Sequence, residues 1–345
     1  MFTLTSLPRP VVGAPMAGGP STPALAAAVS NAGGLGFLAA GYKTAGAVAA
    51  EIAATRELTG KPFGVNLFVP DSANTGGTGT ADRLPAALAY RRELAREYPS
   101  VPLPAPDPED DDGWAEKLDL VQRLAVPVVS FTFGLPGDDV VAGLRQAGSA
   151  VAVTVTTVQE AALAVAAGAG ILCLQGPGAG GHRGTFDAAA EPPGQPLAEL
   201  LGLVREQYGT ETELIAAGGI GTAPEAAGLL QAGADAVQIG TALLLAPEAG
   251  TGTTHRAALQ DPRFTSTALT RAFSGRSARG LANDFMAAHP DAPAAYPLVN
   301  QITKGLRSRA AAAGDPHGVS LWAGTGYRQV RPEPAAETVR RIGGS

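Results

Sequence analysis

The sequence predicts a parallel (β/α)8 barrel, and three observations predict it. Eight short apolar runs alternate with alanine-rich stretches of helical length, with no break in composition that would separate two domains. Several of those stretches stop at a glycine suited to a helix C-cap, namely Gly33, Gly60, Gly148, Gly168, Gly209 and Gly233. Bare glycine turns close the seventh and eighth apolar runs, where barrels of this kind bind phosphate. A chain of 345 residues holds the roughly 250 that such a barrel needs, plus an insertion and a tail.

The strands fall at 11–14, 35–39, 63–69, 127–133, 150–155, 171–175, 213–217 and 236–241. Several are almost continuously hydrophobic, as parallel strands covered on both faces must be. Helices are expected at 22–32, 44–59, 138–147, 157–167, 195–208 and 222–232. One stretch breaks the rhythm. Residues 71–113 run through glycine and threonine, a helical segment at 83–98, several prolines and an acidic run at 109–112. This reads as an insertion after the third strand, lying over the C-terminal face of the barrel, with the acidic run a solvated loop. Residues 255–330 read as a mostly helical C-terminal segment and 331–345 as a frayed tail, all within a single domain spanning 1–345.

Composition narrows the function. A net charge of −6 and a pI near 5.3 argue against nucleic acid or an anionic membrane as partner. The lone Cys173 excludes a disulfide framework and is expected in the core. The four histidines show no ligand-like spacing, so no metal is expected. The N-terminal residues lack the pattern of a signal peptide, and no apolar run is long enough to span a membrane, so a cytoplasmic protein is expected.

The glycine-rich turns point to a ligand. Gly176-Pro-Gly-Ala-Gly-Gly181 satisfies G-x-G-x-x-G, but loop residues follow where a dinucleotide fold needs a helix, which rejects that reading. Gly218 and Gly219 end the seventh strand, and Gln238, Gly240 and Thr241 end the eighth. Backbone N–H groups exposed at these two strand ends suit a phosphate. Other strand ends offer partners for a planar ring: Ala14, Pro15 and Met16 after the first, Asn66 in the third and Gln175 at the end of the sixth. The amides of Asn66 and Gln175 both donate and accept, which fits the edge of an isoalloxazine. His182 stands among glycines just past the sixth strand, where an imidazole can donate to a substrate anion. Arg271, Arg276 and Arg279 read as surface charge.

These segments together resemble the nitronate monooxygenase family, in its class I bacterial-type branch. The resemblance runs through Ala14-Pro-Met-Ala-Gly-Gly19, Val29-Ser-Asn-Ala-Gly-Gly-Leu-Gly-Phe37, Pro62-Phe-Gly-Val-Asn-Leu-Phe68 and Val129-Ser-Phe-Thr-Phe-Gly134. It continues through Gln175-Gly, Ala179-Gly-Gly-His-Arg-Gly184, Ala216-Ala-Gly-Gly-Ile220, Gly240-Thr241, Phe273-Ser-Gly-Arg276, Ala295-Tyr-Pro297 and Leu321-Trp-Ala-Gly324. What it implies is an FMN-bound barrel that oxidises alkyl nitronates, propionate 3-nitronate above all, with O2 and without NAD(P)H, to a carbonyl compound and nitrite or nitrate. It implies flavin contacts at Ala14, Pro15, Met16, Asn66, Gln175, Gly180, Gly181, Gly218, Gly219, Gly240 and Thr241. It also implies an active-site histidine at His182, with Tyr296 and Lys304 near the substrate. The alternative is an FMN-dependent NAD(P)H enoyl reductase-like enzyme, or a biosynthetic flavoenzyme on another nitro or unsaturated compound. Two positions depart from the family pattern. Thr132 stands where a histidine is usual, and the loop before His182 lacks the common acidic residue. Both bear on substrate orientation more than on fold.

Overall fold

A computed structural model describes residues 2–71 and 79–344 and closes the predicted strands into one ring. Its parallel members are β1 (Val11–Gly13), β2 (Gly36–Ala39), β3 (Phe63–Phe68), β4 (Val128–Thr132), β5 (Ala150–Val155) and β6 (Ile171–Gln175). A two-residue β7 (Gly181–His182) stands outside the ring, which continues with β8 (Glu213–Ala217) and β9 (Ala236–Ile239). β9 returns to β1 in parallel register. The ring is completed between β1 and β2, where Gly13 N donates to Leu35 O and Leu35 N to Val11 O, both at 2.9 Å.

Alternate residues of the strands point inward. Val12, Phe37, Val128, Ala152, Cys173, Ile215 and Ala236 form one buried cluster inside the barrel, joined by Leu4 from the N-terminal turn. Leu4 N donates to Glu213 Oε1 at 2.7 Å, which plugs the N-terminal mouth and leaves the C-terminal mouth for ligands. Burial pushes the Cys173 thiol up to about 12, so it is an inert core group as expected.

The covering helices are α1 (Pro23–Asn31), α2 (Ala45–Leu58), α3 (Thr80–Glu97), α4 (Trp114–Arg123), α5 (Asp138–Gln146), α6 (Val158–Ala166), α7 (Leu197–Tyr208) and α8 (Ala223–Gln231). Threonine starts four of them: Thr22, Thr44, Thr157 and Thr222 each accept from the third backbone N–H of the helix. Of the expected glycine caps, Gly148 and Gly168 take positive φ (93° and 91°) as they leave α5 and α6. Gly60 does not cap; α2 ends earlier, in extended backbone at Thr59.

Beyond β9 come α9 (Thr253–Gln260), β10 (Thr267–Thr270), β11 (Ala278–Leu281), α10 (Asp284–Ala288), α11 (Leu298–Ala312) and α12 (Ala335–Gly343). Three findings differ from the sequence reading. The barrel's own helix between β3 and β4 is α4, where the sequence reading placed no helix. The C-terminal segment is less helical than expected, because β10, β11 and β7 form a small antiparallel sheet. The expected frayed tail instead becomes α12. Its Ala335, Val339 and Ile342 are buried in one cluster with Val11, Val237 and Ile239, so apolar burial fixes it.

The helix of the insertion packs on the C-terminal segment. Ala87, Tyr90 and Leu94 of α3 pack with Phe273, Phe285, Val299 and Ile302 in a satellite core. Residues 72–78 of that stretch lie outside the described residues. If α12 seals the barrel, Ile342→Ala costs about 2–5 kcal/mol of stability in urea unfolding. A silent substitution there would mean that the helix is not docked in solution.

Candidate active site

A cavity of about 1250 Å³ opens at the C-terminal mouth, and the end of each ring strand reaches it. Around the ring it meets Ala14, Tyr42, Asn66, Thr132, Thr154, Gln175, Ala217 and Gln238, and α11 forms a further wall. All but one of the cofactor and substrate residues named from the sequence line this one space: Ala14, Pro15, Met16, Asn66, Thr132, Gln175, Gly180, Gly181, His182, Gly218, Gly219, Gln238, Gly240, Thr241 and Lys304. Tyr296 joins them through its ring, which lies 5.7 Å from that of His182.

At the β8 and β9 ends the wall is bare backbone. The N–H groups of Gly219, Gly240 and Thr241 donate to nothing among the described residues. Side chains have no room there: a Cβ on Gly218 would come within 3.0 Å of Gly176 O and Ala179 N, and Gly218 holds φ 124°. Gly240 packs against Ala14 and Met16, which joins the β1 and β9 loops.

The amides behave differently from one another. Asn66 Nδ2 donates to Ser130 Oγ (2.9 Å) and Thr132 Oγ1 (3.0 Å), leaving Oδ1 without a partner among the described residues. Gln175 is committed to its own loop: Nε2 donates to His182 O (3.0 Å) and Oε1 accepts from Gly184 N (2.8 Å). Thr132 is woven into the wall through Asn66 and Thr154, the two hydroxyls 3.3 Å apart. A neutral chain of hydrogen bonds therefore occupies the place of a family histidine.

His182 is not on a free loop. Its strand β7 pairs with β11, opposite Ala278, and its ring is ringed by Phe133, Tyr296 and Trp322 at centroid distances of 5.2–5.7 Å within the group. Nε2 lies 2.8 Å from Ser274 Oγ, and Ser274 Oγ donates to Arg276 O at 3.2 Å. Which of these two groups, Nε2 or the Ser274 hydroxyl, donates to the other follows the tautomer of the imidazole. Nδ1 remains without a partner among the described residues. Burial, with Arg276 and Arg307 beside it, lowers the imidazole to about 3 and keeps it neutral.

Arg276 overturns the reading of surface charge. It is 1% exposed, donates to Thr185 O at 2.7 Å, and lays its guanidinium over Phe133 at 4.2 Å and Tyr296 at 5.5 Å. No carboxylate pairs with it among the described residues. Phe133 holds φ 78°, a backbone state costing about 1–3 kcal/mol that clusters at functional sites. Sequence reasoning missed both Phe133 and Ser274, although each lies in a motif it had quoted. Tyr296 OH meets Tyr42 OH at 3.1 Å across the mouth, and burial raises its pKa well above the ordinary tyrosine value. Arg271 does pair at the surface, with Glu191 at 2.8 Å.

A barrel with its ligand cavity at the strand C-termini, an imidazole held neutral and a buried arginine with no carboxylate partner among the described residues defines an enzyme of the (β/α)8 class. The chain belongs to the nitronate monooxygenase family, whose model matches residues 3–342. It is thereby an oxidoreductase. A nitronate monooxygenase of Pseudomonas aeruginosa is 41% identical, over 98% of this chain and 96% of that protein. The crystal structure of a nitroalkane oxidase from Streptomyces ansochromogenes superposes with a TM-score of 0.91 at 47% identity, covering 98% of this chain and 96% of that one. FabK from Thermotoga maritima matches at a TM-score of 0.74 and 25% identity, over 98% and 93% of the two chains.

Acid should loosen this site. In the unfolded chain a histidine takes its proton near pH 6.5, whereas native His182 and His255 refuse theirs until about 3 and 4. Their contribution is complete above pH 6.5 and is lost as pH falls below it. The urea midpoint is expected to drop between pH 7 and pH 5, and to drop less in the double variant His182→Gln, His255→Gln. Equal drops would mean that neither imidazole is held neutral.

Proposed function

We propose that the protein is an FMN-dependent enzyme that oxidises alkyl nitronates of the propionate 3-nitronate type with O2, giving a carbonyl compound and nitrite or nitrate without NAD(P)H. The observation that carries this reading is the electrostatics of the cavity. Arg276, which pairs with no carboxylate among the described residues, stands beside a neutral imidazole and suits an anionic substrate.

The glycine turns suit FMN. Unclaimed N–H groups at Gly219, Gly240 and Thr241 suit its phosphate, in a cradle that a Cβ at Gly218 would crowd. Ala14, Pro15, Met16, Gly180, Gly181 and Gln238 would border the ring, and Asn66 Oδ1 can accept from its edge. Gln175 contributes chiefly by holding the loop of His182 in place. When bound, FMN supplies the electron acceptor for the nitronate and the means of passing electrons to O2.

The side chains divide the rest of the work. Tyr296 stays protonated at neutral pH and can donate to a nitronate oxygen. Lys304, at the exposed mouth, draws the anion inward, and Thr132 borders the substrate as a neutral hydroxyl. His182 faces the substrate through Nδ1, which donates to a nitronate oxygen in the tautomer whose Nε2 accepts from Ser274 Oγ. Phe133 and Trp322 exclude water from that side.

Absorbance without oxygen tests the reading. Adding propionate 3-nitronate to the flavin-loaded protein is expected to bleach the flavin band, and NADH or NADPH is expected to leave it unchanged. A band unmoved by nitronate but bleached by nicotinamide would replace this function with a reductase. His182→Asn is expected to keep its flavin and lose about 100-fold in turnover. Unchanged turnover with nitronates would remove the role given to His182.

A further inference from the structure

We propose that Arg307 is a specificity-determining residue: it forms a second anion site on the α11 wall and takes a carboxylate at the far end of the substrate. The proposal rests on the nitronate reading of the cavity and assigns a residue that the motifs did not mark.

Asn300, Lys304, Arg307 and Ala311 repeat at helical spacing and line the cavity from one face of α11. Arg307 is held rigidly on that face. Its Nη2 donates to Asn300 O at 2.8 Å and to Asn300 Oδ1 at 2.7 Å, and its Nε donates to Thr303 Oγ1 at 3.2 Å. Nη1 makes no hydrogen bond among the described residues. The acids along this wall are otherwise engaged or distant from it in role. Asp110 accepts from Gln301 at 3.0 Å, Asp112 pairs with Lys117 at 2.7 Å and accepts from Tyr42 N, and Glu116 stands exposed. None of the three pairs with Arg307.

A guanidinium fixed in this way has already lost its rotamer freedom, and burial already works against its charge. Its remaining donor edge borders the cavity, where no oxygen of the described residues satisfies it. An incoming carboxylate would supply both the missing acceptor and the counter-ion. Arg307 lines the same cavity as His182 and Tyr42 and acts electrostatically on both. A nitronate held at His182 and Tyr296 leaves the carboxylate of the same substrate to Arg307.

The test compares propionate 3-nitronate with butyl nitronate, which lacks the carboxylate, in wild type, Arg307→Met and Arg307→Lys. Arg307→Met is expected to raise KM for propionate 3-nitronate about tenfold or more, leave kcat and flavin content near wild type, and change KM for butyl nitronate less than about twofold. Arg307→Lys is expected to recover part of the loss. Calorimetry supplies a readout without turnover: 3-nitropropionate should bind wild type more tightly than nitropropane does, and Arg307→Met should erase that preference. Equal rises in both KM values, or an undiminished calorimetric preference, would overturn the proposal. If neither nitronate turns over in wild type, the nitronate reading fails, while a calorimetric preference that depends on Arg307 would still support the anion site.

Discussion

A guanidinium buried without a carboxylate organises the space above the barrel. Taking such a charge out of water costs several kcal/mol unless other groups replace the lost solvation. For Arg276 the replacements are the carbonyl of Thr185 and the faces of Phe133 and Tyr296. Each of these contacts constrains something else. The carbonyl contact ties down the chain just after His182, and the ring contacts set the wall against which the imidazole packs. The positive φ of Phe133 is a strain that the surrounding packing must hold, and Arg276 is part of that packing. The same cation disfavours a second positive charge at His182. Position and protonation state of the imidazole therefore have a common origin.

Much of the fold was legible because parallel strands covered on both faces leave nearly continuous apolar runs, and 171–175 and 213–217 fell where they were expected. The glycine turns were legible because a close backbone approach admits no Cβ. The support of His182 was not. β7 has only two residues, and β10 is partly exposed along its length, so neither carries a periodic signal. Arg276 was misread because arginines are rarely buried unless paired, and aromatic faces with carbonyls leave no charge pattern in a sequence. The α11 wall could have been found. Asn300, Lys304 and Arg307 lie four and three residues apart, which places polar groups on one helix face.

The departure at Thr132 gains meaning from its neighbours. Asn66, Thr132 and Thr154 connect three adjacent strand ends through short polar side chains, all neutral. An ionisable ring at 132 would add a group whose charge varies with pH beside a buried arginine. Here the charge facing a substrate comes from Arg276, Arg307 and Lys304, while His182 is held neutral. Recognition by cations that stay charged around neutrality separates binding from the local proton balance.

The docking of α12 on β1 and β9 bears on the order in which the molecule is made. β1 leaves the ribosome early, yet its neighbour β9 follows more than two hundred residues later, and the helix that covers their seam later still. Until then Val11 and Ile239 have no complete cover, and one side of β1 offers unpaired backbone groups to any passing strand. The chain must therefore carry an unsealed barrel through most of its synthesis. The final turn of helix converts an adhesive intermediate into a closed particle, which makes its apolar residues as important to yield as to stability.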